Sequence, residues 1–221
     1  MTKALRIGVF GATGTGKGLW TIRQIQAAKP PRLMVWDFKH DPWLKGIGQD
    51  VRTPQELARV TQASAFKARY LVDHDQDIDA QFEFFCKVAW ARSRLLMFVD
   101  ELPEVTKANR APALWRKCVN VGRSYTAPDG KPGHLSIIGA GQRAAETDKS
   151  FIGNLDVLHV GRMGNDADAR ALAGYLGCNW RELLTLPDLH YIERVVGQSE
   201  PLRANITLQK KGPTPRAKPK A

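Results

Sequence analysis

The sequence predicts an α/β fold with a doubly wound, mainly parallel sheet, on two observations. Short apolar runs recur along the chain, and segments with helical periodicity separate most of them. Such runs are typical of strands buried on both faces, and strands that alternate with helices favour parallel pairing. The expected strands are residues 5–10, 33–36, 70–72, 95–99, 135–139 and 157–160.

Capping residues and periodic apolar residues indicate the helices. Thr53, Pro54 and Glu56 form a capping box with proline at the first helical position. Asp166 is expected to cap a later helix that stops at Gly177. Apolar spacing predicts further helices over residues 19–28, 78–92 and 112–122.

The pattern changes after Pro187. Residues 191–196 and 204–208 are expected to form a β-hairpin that is added to the core. From Lys210 onward the chain is rich in lysine and proline and has almost no apolar side chains, so we expect disorder there. The predicted organisation is one domain, residues 1–209, followed by a basic tail, residues 210–221.

Composition limits the class of protein. Among 221 residues, 43% are apolar and 25% are charged, which is typical of a soluble globular protein. No stretch reaches the roughly 18 apolar residues of a membrane span, and the N-terminus lacks an apolar signal block. The three cysteines are odd in number and far apart, which argues against a disulfide framework or a zinc site. We therefore expect a cytoplasmic protein.

The net charge indicates a polyanionic partner. The 33 basic and 22 acidic residues give a formal charge of +11. Neutralising phosphates with basic side chains releases counterions and favours binding to nucleic acid. Charge alone does not identify the polyanion.

A phosphate-binding loop follows the first expected strand. The segment Gly11-Ala-Thr-Gly-Thr-Gly-Lys17 fits the first seven positions of the phosphate-loop pattern. Its glycines let successive amides point inward, while the following helix and the lysine supply positive charge to the phosphates. A bare strand–helix turn is the alternative, but the lysine and both flanking elements argue against it. The candidate nucleotide-binding residues are Gly11, Ala12, Thr13, Gly14, Thr15, Gly16, Lys17 and Gly18.

Gly18 departs from the pattern, which has Ser or Thr at this position as a magnesium ligand. Without that hydroxyl, the metal needs water or the hydroxyl of Thr13 or Thr15. Thr21 lies one helical turn further on, and we expect it to be too distant. The departure affects the metal geometry more than nucleotide binding.

Asp100 and Glu101 follow a fully apolar expected strand, so both carboxylates should emerge at its carboxyl end beside the phosphates. Asp100 is the candidate ligand for magnesium, through water, and Glu101 the candidate group that orients or deprotonates the attacking water. Adjacent carboxylates at a strand end can also be loop solvation. Their combination with an upstream phosphate loop favours an ATP site.

Two further polar residues are candidates. Gln142 ends the next expected strand, where an amide could sense the terminal phosphate; a polar strand end is the alternative. Arg123 closes the preceding helix and could enter a neighbouring subunit's site to stabilise phosphoryl charge. A solvated arginine at a helix C-terminus is its alternative. Arg143 is a second candidate for this arginine.

These motifs, in this order, resemble the FtsK–HerA superfamily of DNA-pumping ATPases. The resemblance covers about residues 5–180 and includes Trp36-Asp-Phe-Lys-His-Asp41 and Asn154-Leu-Asp-Val-Leu-His-Val-Gly-Arg162. It implies a RecA-like P-loop ATPase core that binds ATP and Mg²⁺. Carried over by position, it assigns the phosphates to Lys17, magnesium to Asp100 and the catalytic base to Glu101. Gln142 would be the sensor and Arg123 the finger acting in trans.

The resemblance also implies partners. Members of the superfamily form rings, usually hexameric, around duplex DNA. A small basic chain without membrane segments is similar to the genome-packaging ATPases of tectivirus-type phages, which have no tail and contain an internal membrane. Such an enzyme would work in the host cytoplasm, or on the virion at the packaging vertex, with capsid vertex or membrane-embedded packaging proteins as further partners. Filamentous-phage assembly ATPases share the core but typically add a transmembrane segment.

Two other classes of function stay open at this point. A small-molecule phosphotransferase could use the same core, although the Asp100–Glu101 pair and the lack of an arginine-rich lid argue against it. A nucleotide-gated adaptor or DNA-binding scaffold is favoured by Gly18, because poor metal binding would impair hydrolysis.

Overall fold

The computed structural model describes residues 4–208, and a nine-stranded sheet lies at its centre. The strands of this sheet are β1 (Arg6–Phe10), β2 (Arg32–Asp37), β3 (Gln49–Val51), β4 (Phe66–Leu71), β5 (Leu95–Val99), β8 (Leu135–Gly141), β9 (Val157–Gly161), β10 (His190–Val195) and β11 (Leu202–Asn205). Two short strands, β6 (Tyr125–Thr126) and β7 (Pro132–Gly133), pair with each other separately.

The strand order is β11-β10-β9-β1-β8-β5-β2-β4-β3. The seven strands from β9 to β3 are all parallel, whereas β10 pairs antiparallel with both β9 and β11. The predicted fold class is confirmed, including the carboxyl-terminal hairpin. Because β8 lies between β1 and β5, the carboxyl ends of these three parallel strands lie side by side.

Helices cover both faces of the sheet. They are α1 (Lys17–Ala28), α2 (Pro54–Val60), α3 (Ile78–Arg92), α4 (Leu102–Val105), α5 (Ala113–Asn120), α6 (Lys149–Gly153), α7 (Asp166–Leu176) and α8 (Trp180–Thr185). Along β2, Leu33 and Val35 join the core beneath α1, while Met34 and Trp36 join the larger core beneath α2, α3 and α5. This alternation gives a parallel strand two apolar faces.

The helix caps largely follow the sequence. The Thr53 hydroxyl accepts the N–H of Glu56, and Pro54 occupies the first turn of α2 as expected. Gly177 ends α7 with a φ of 71°. The prediction that Asp166 caps α7 was wrong, because Asn165 is the cap and accepts the N–H of Asp168 at 2.9 Å.

Two strand predictions need correction. The expected strand 70–72 is β4, which begins at Phe66, and the expected strand 204–208 is β11, which begins at Leu202. The charged Lys67 and Arg69 interrupt the apolar run of β4, so its start was missed. Arg69 is nevertheless buried, because its guanidinium pairs with the buried Asp37 carboxylate at 2.6 Å. Strand β3 and helix α8 were not predicted.

One sheet runs through the described residues, but the division into a domain of residues 1–209 and a tail stays a prediction. The tail, residues 210–221, lies outside the described residues. Between residues 4 and 208, no helix combines the length and the apolar character needed to cross a membrane.

Arg6 is the largest charged side chain in the interior and is fully buried at the amino end of β1. Its guanidinium donates to the carbonyl oxygens of Leu135 at 2.5 Å, Cys118 at 2.9 Å and Val119 at 3.2 Å. Burial, and next the charge of Arg123, lowers its pKa to about 10, so it stays protonated at neutral pH. Arg6 therefore ties the end of α5 to the starts of β1 and β8.

We expect Arg6→Met to lower the free energy of unfolding by roughly 3 kcal/mol, because three buried carbonyl groups lose a charged donor. Urea denaturation followed by circular dichroism measures the change. Arg116→Met is the matched control, since Arg116 is exposed on α5 and its replacement should change stability by less than about 0.5 kcal/mol. Equal effects of the two substitutions would contradict this account of Arg6.

Candidate nucleotide site

The phosphate loop joins β1 directly to α1. Gly14 and Gly16 have φ values of 83° and 92°, a region that favours glycine, and Gly16 is the N-cap of α1. The Ala12 N–H donates to the Arg162 carbonyl at 2.7 Å, which ties the loop to the end of β9. A Cβ on Gly16 would lie 2.7 Å from Ile206 and 2.9 Å from Leu189, so side chains near the hairpin pack directly against the loop.

Lys17 lies folded over its own loop. Its Nζ donates to the carbonyl oxygens of Gly11 at 2.6 Å and Ala12 at 2.9 Å. Burial lowers the pKa of Lys17, while the charges of Glu101 and Asp100 act in the opposite direction. The ammonium group is thus placed inside the loop where a phosphate chain would need it.

Asp100 extends β5 beyond its apolar run. Its N–H donates to the Trp36 carbonyl at 3.0 Å, and its side chain is enclosed, with the residue 6% exposed. Burial raises the pKa of Asp100 to about 7, and the negative charges of Glu101, Asp41 and Asp37 add to the shift. Its Oδ2 atom is buried and has no hydrogen-bond partner among the described residues.

Glu101 is the centre of a chain of polar contacts. Its Oε1 atom accepts from Lys39 Nζ at 2.5 Å and from Gln142 Nε2 at 3.0 Å. The amide oxygen of Gln142 accepts in turn from the Thr13 hydroxyl at 3.1 Å. Glu101 has a left-handed backbone, φ 47° and ψ 53°, which is costly for a residue with a side chain and is typical of functional sites.

These residues surround one cavity of about 410 Å³. It is lined by Thr13, Gly14, Thr15, Gly16, Lys17, Gly18, Leu19, Thr21, Lys39, Asp41, Trp43, Asp100, Glu101, Ala140 and Gln142. The fold therefore brings together the predicted residues of the phosphate loop, both carboxylates and Gln142. Gly11 and Ala12 contribute through their carbonyl contacts with Lys17.

The cavity fits a magnesium–nucleotide complex. Asp100 presents a buried carboxylate oxygen that lacks a partner in the described part of the chain, and a cation would supply one. Mg²⁺ prefers oxygen ligands, keeps several waters and is commonly held by one carboxylate together with phosphate oxygens. Asp100 would hold the ion and Lys17 the phosphates.

Gly18 is explained by Trp43. A Cβ on Gly18 would lie 2.6 Å from Trp43 Cε2 and 2.7 Å from Cζ2, so the indole ring occupies the space of the usual Ser or Thr side chain. Trp36, by contrast, is fully buried in the core. The Thr15 hydroxyl, a suggested replacement ligand, donates to the Ala12 carbonyl at 2.9 Å.

The two candidate arginines lie at opposite ends of the strands, Arg123 at the amino ends and Arg143 at the carboxyl ends. Arg123 donates to the Ala4 carbonyl at 3.1 Å and pairs with Asp156 at 2.6 Å, at the amino ends of β1 and β9. It is therefore remote from its own phosphate loop, and its role in a neighbouring subunit stays a prediction. Arg143 follows Gln142 directly and contacts Glu146 at 2.5 Å and Asp168 at 3.3 Å.

Lys39 and Thr21 also line the cavity. Lys39 was not assigned a function from the sequence, and Thr21 was expected to lie too far away to hold the metal. Lys39 stands in Trp36-Asp-Phe-Lys-His-Asp41, directly after β2, and parallel strands end at the same edge of the sheet as the phosphate loop. The position of Lys39 just after a parallel strand could therefore have predicted that it lies near the phosphate loop. Thr21 follows Lys17 by one helical turn, so the two face the same side of α1.

Comparison with solved structures identifies the fold. The genome packaging NTPase B204 of Sulfolobus turreted icosahedral virus 2, solved with sulfate, superposes with a TM-score of 0.71 and 14% identity. The match covers 95% of this chain and 100% of B204. The chain has the P-loop ATPase fold of B204. A complex of B204 with AMPPCP gives the same TM-score of 0.71.

Two further proteins are similar to this chain. The solved chain of the bacterial conjugative coupling protein TrwB matches with a TM-score of 0.60 and 11% identity, over 93% of this chain and 85% of the solved chain. Protein P9 of Pseudoalteromonas phage PM2 is 25% identical over 185 residues, which is 82% of this chain and 79% of P9. No protein-family model matches the sequence. The resemblance to FtsK–HerA ATPases is confirmed at the level of the fold.

The raised pKa of Asp100 predicts how the metal-free protein responds to pH. In the folded state the Asp100 carboxyl retains a proton that it loses above about pH 4 in the unfolded state. The free energy of unfolding therefore falls as pH rises from about 4 through 7, by on the order of 4 kcal/mol. Asp100→Asn removes this loss. In EDTA and without nucleotide, we expect urea denaturation to show the variant more stable than the wild type at pH 8, with a smaller gap at pH 5.5.

Asp129→Asn is the control for that comparison. A hydrogen bond from Arg94 lowers the pKa of the exposed Asp129, so its carboxylate is charged in both folding states at pH 5.5 and 8. The difference between this variant and the wild type should therefore not change between the two pH values. A pH-independent difference for Asp100→Asn would show that Asp100 is ionised throughout.

The contact between Gly18 and Trp43 predicts that the effect of Gly18→Ala on stability changes sign when Trp43 is replaced. Gly18→Ala should lower stability by roughly 1–3 kcal/mol, because overpacking against the indole exceeds the gain in helix propensity. In a Trp43→Ala background the same substitution should stabilise the protein. Gly174→Ala on α7 is the matched control, since a Cβ there meets nothing within 4 Å. Thermal melts decide, and a stabilising Gly18→Ala in the wild type would contradict the packing described.

Proposed function

We propose that the protein is an ATP-hydrolysing motor that translocates duplex DNA and packages a viral genome into a preformed capsid. The observation that carries the proposal is the cavity that joins Lys17 to Asp100, Glu101 and Gln142. A likeness to a packaging NTPase along nearly the whole chain supports it. Hydrolysis needs all four groups, whereas nucleotide binding alone needs only the loop.

Each residue then has a chemical role. Lys17 leaves the carbonyls of Gly11 and Ala12 and binds the terminal phosphates. Glu101 orients the attacking water and accepts its proton as the water oxygen bonds to the terminal phosphorus and ADP leaves. Asp100 would hold Mg²⁺, and the ion would supply positive charge beside the phosphate oxygens. Gln142 contacts the terminal phosphate and reports its presence.

Lys39 controls the availability of Glu101. The ion pair at 2.5 Å occupies the Oε1 atom of Glu101, which also accepts from Gln142, so this oxygen is not free to accept a hydrogen bond from the attacking water. Lys39 is 44% exposed at its side chain, so it can move to the more negative terminal phosphate when ATP binds. Glu101 then faces water, and hydrolysis is coupled to nucleotide binding.

The assembled state supplies the remaining parts. A ring of identical subunits, with six as the expected number, would bring Arg123 of one subunit to the phosphates of the next. The +11 charge of the chain supports duplex DNA as the partner. We place the motor in the host cytoplasm and at the packaging vertex, beside capsid or membrane-embedded packaging proteins.

A nucleotide-gated scaffold is the second candidate. It is favoured by the packing of Trp43 on Gly18, which removes the hydroxyl that usually holds magnesium. Such a protein would bind ATP and DNA without turnover.

We expect the wild type to release phosphate from ATP with Mg²⁺, faster with duplex DNA, and Glu101→Gln to reduce the rate by at least about 100-fold because the proton acceptor is lost. Glu104→Gln is the matched control. Glu104 is exposed on α4, three residues further on, and does not line the cavity.

Two outcomes would contradict the proposal. Hydrolysis by an assembled ring that does not change with DNA would argue against a translocating motor. Nucleotide binding without any phosphate release from the wild type would favour the scaffold.

A further inference from the structure

Two buried oxygen atoms at the cavity lack hydrogen-bond partners in the described part of the chain. They are Oδ2 of Asp100 and the hydroxyl oxygen of Thr21. Both residues line the nucleotide cavity, and Thr21 has no solvent exposure. An enclosed hydroxyl without a partner costs about 1–3 kcal/mol, so its presence at this position calls for a ligand.

The other hydroxyls of the loop are occupied. Thr13 donates to Gln142 at 3.1 Å, and Thr15 donates to the Ala12 carbonyl at 2.9 Å. Gly18 has no hydroxyl, and Trp43 fills the space that one would need. Of the threonines that line the cavity, Thr21 is the one whose hydroxyl is uncommitted among residues 4–208.

The position of Thr21 suits the same task. It follows Gly18 by three residues, so both lie on one face of α1. Gly18 and Thr21 both line the cavity. Mg²⁺ keeps several waters when it binds to proteins, so a hydroxyl needs only to reach a metal-bound water.

We propose that the Thr21 hydroxyl binds a water molecule of the Mg²⁺ ion and, together with Asp100, replaces the hydroxyl that Gly18 lacks. Thr21 is then a positioning residue for the metal. The inference rests on the proposed nucleotide site. It accounts for how that site would hold Mg²⁺ although the indole of Trp43 occupies the place of the usual hydroxyl ligand.

The test measures metal affinity rather than hydrolysis. Mn²⁺ serves as the probe, and its binding to the protein saturated with AMPPCP is followed by electron paramagnetic resonance. The variants are Thr21→Val, which removes the hydroxyl at nearly constant volume, and Thr21→Ser, which keeps it. Thr61→Val is the matched control, since the buried Thr61 hydroxyl bonds to the Leu57 carbonyl in α2 and is remote from the cavity.

We expect Thr21→Val to weaken Mn²⁺ binding by about 10-fold or more, the usual effect of losing an outer-shell partner. Thr21→Ser should stay within about twofold of the wild type, and Thr61→Val should not change Mn²⁺ affinity. AMPPCP affinity measured in EDTA should be the same for Thr21→Val and the wild type, because the hydroxyl acts on the metal. Thr21→Val should also melt at a higher temperature than the wild type in EDTA, because an unpaired hydroxyl is removed.

Unchanged Mn²⁺ affinity in Thr21→Val overturns the proposal. Equal losses in Thr21→Ser and Thr21→Val also overturn it, because they would indicate packing rather than the hydroxyl. Failure of the proposed motor function can be distinguished from failure of the Thr21 inference. A wild type that binds Mn²⁺ with AMPPCP but releases no phosphate with DNA refutes the motor and leaves the Thr21 result standing.

Discussion

The position of β8 between β1 and β5 is the constraint on which the site depends. Parallel strands all finish at the same end of the sheet, so this strand order places Gln142 between the phosphate loop and the two carboxylates. Gln142 can then contact Thr13 on one side and Glu101 on the other. Had β8 been at the edge of the sheet, the loop and the carboxylates would adjoin without an intervening polar side chain.

The electrostatics of the site follow from this crowding. Burial raises the pKa of Asp100, the charges of Glu101, Asp41 and Asp37 raise it further, and Lys39 offsets part of the shift. Asp37 pairs with Arg69 and Glu101 with Lys39, whereas the Oδ2 atom of Asp100 has no partner among the described residues. A divalent cation bound at Asp100 would supply that partner.

Much of this arrangement could be predicted from the sequence. Apolar runs and the glycine spacing were sufficient for the parallel sheet and for the edge at which Lys17, Asp100, Glu101 and Gln142 meet, because strand ends of a parallel sheet are set by topology. Trp43 could not be placed in the same way. Its position depends on how the loop after β2 folds back, and no periodicity describes that loop. The unpaired hydroxyl of Thr21 is a property of packing, and a sequence pattern does not record which hydroxyls lack partners.

The contact of Ile206 and Leu189 with Gly16 has a mechanical consequence. The Ile206 N–H donates to the Leu189 carbonyl at 2.8 Å, and Arg23 on α1 donates to the Thr207 carbonyl at 2.7 Å. Closely packed protein interiors compress little and transmit displacement. A shift of β11 by a fraction of an ångström is therefore transmitted to the first turn of α1 without passing through the sheet. The reverse also holds, so a displacement of the phosphate loop would be transmitted to the segment around Ile206.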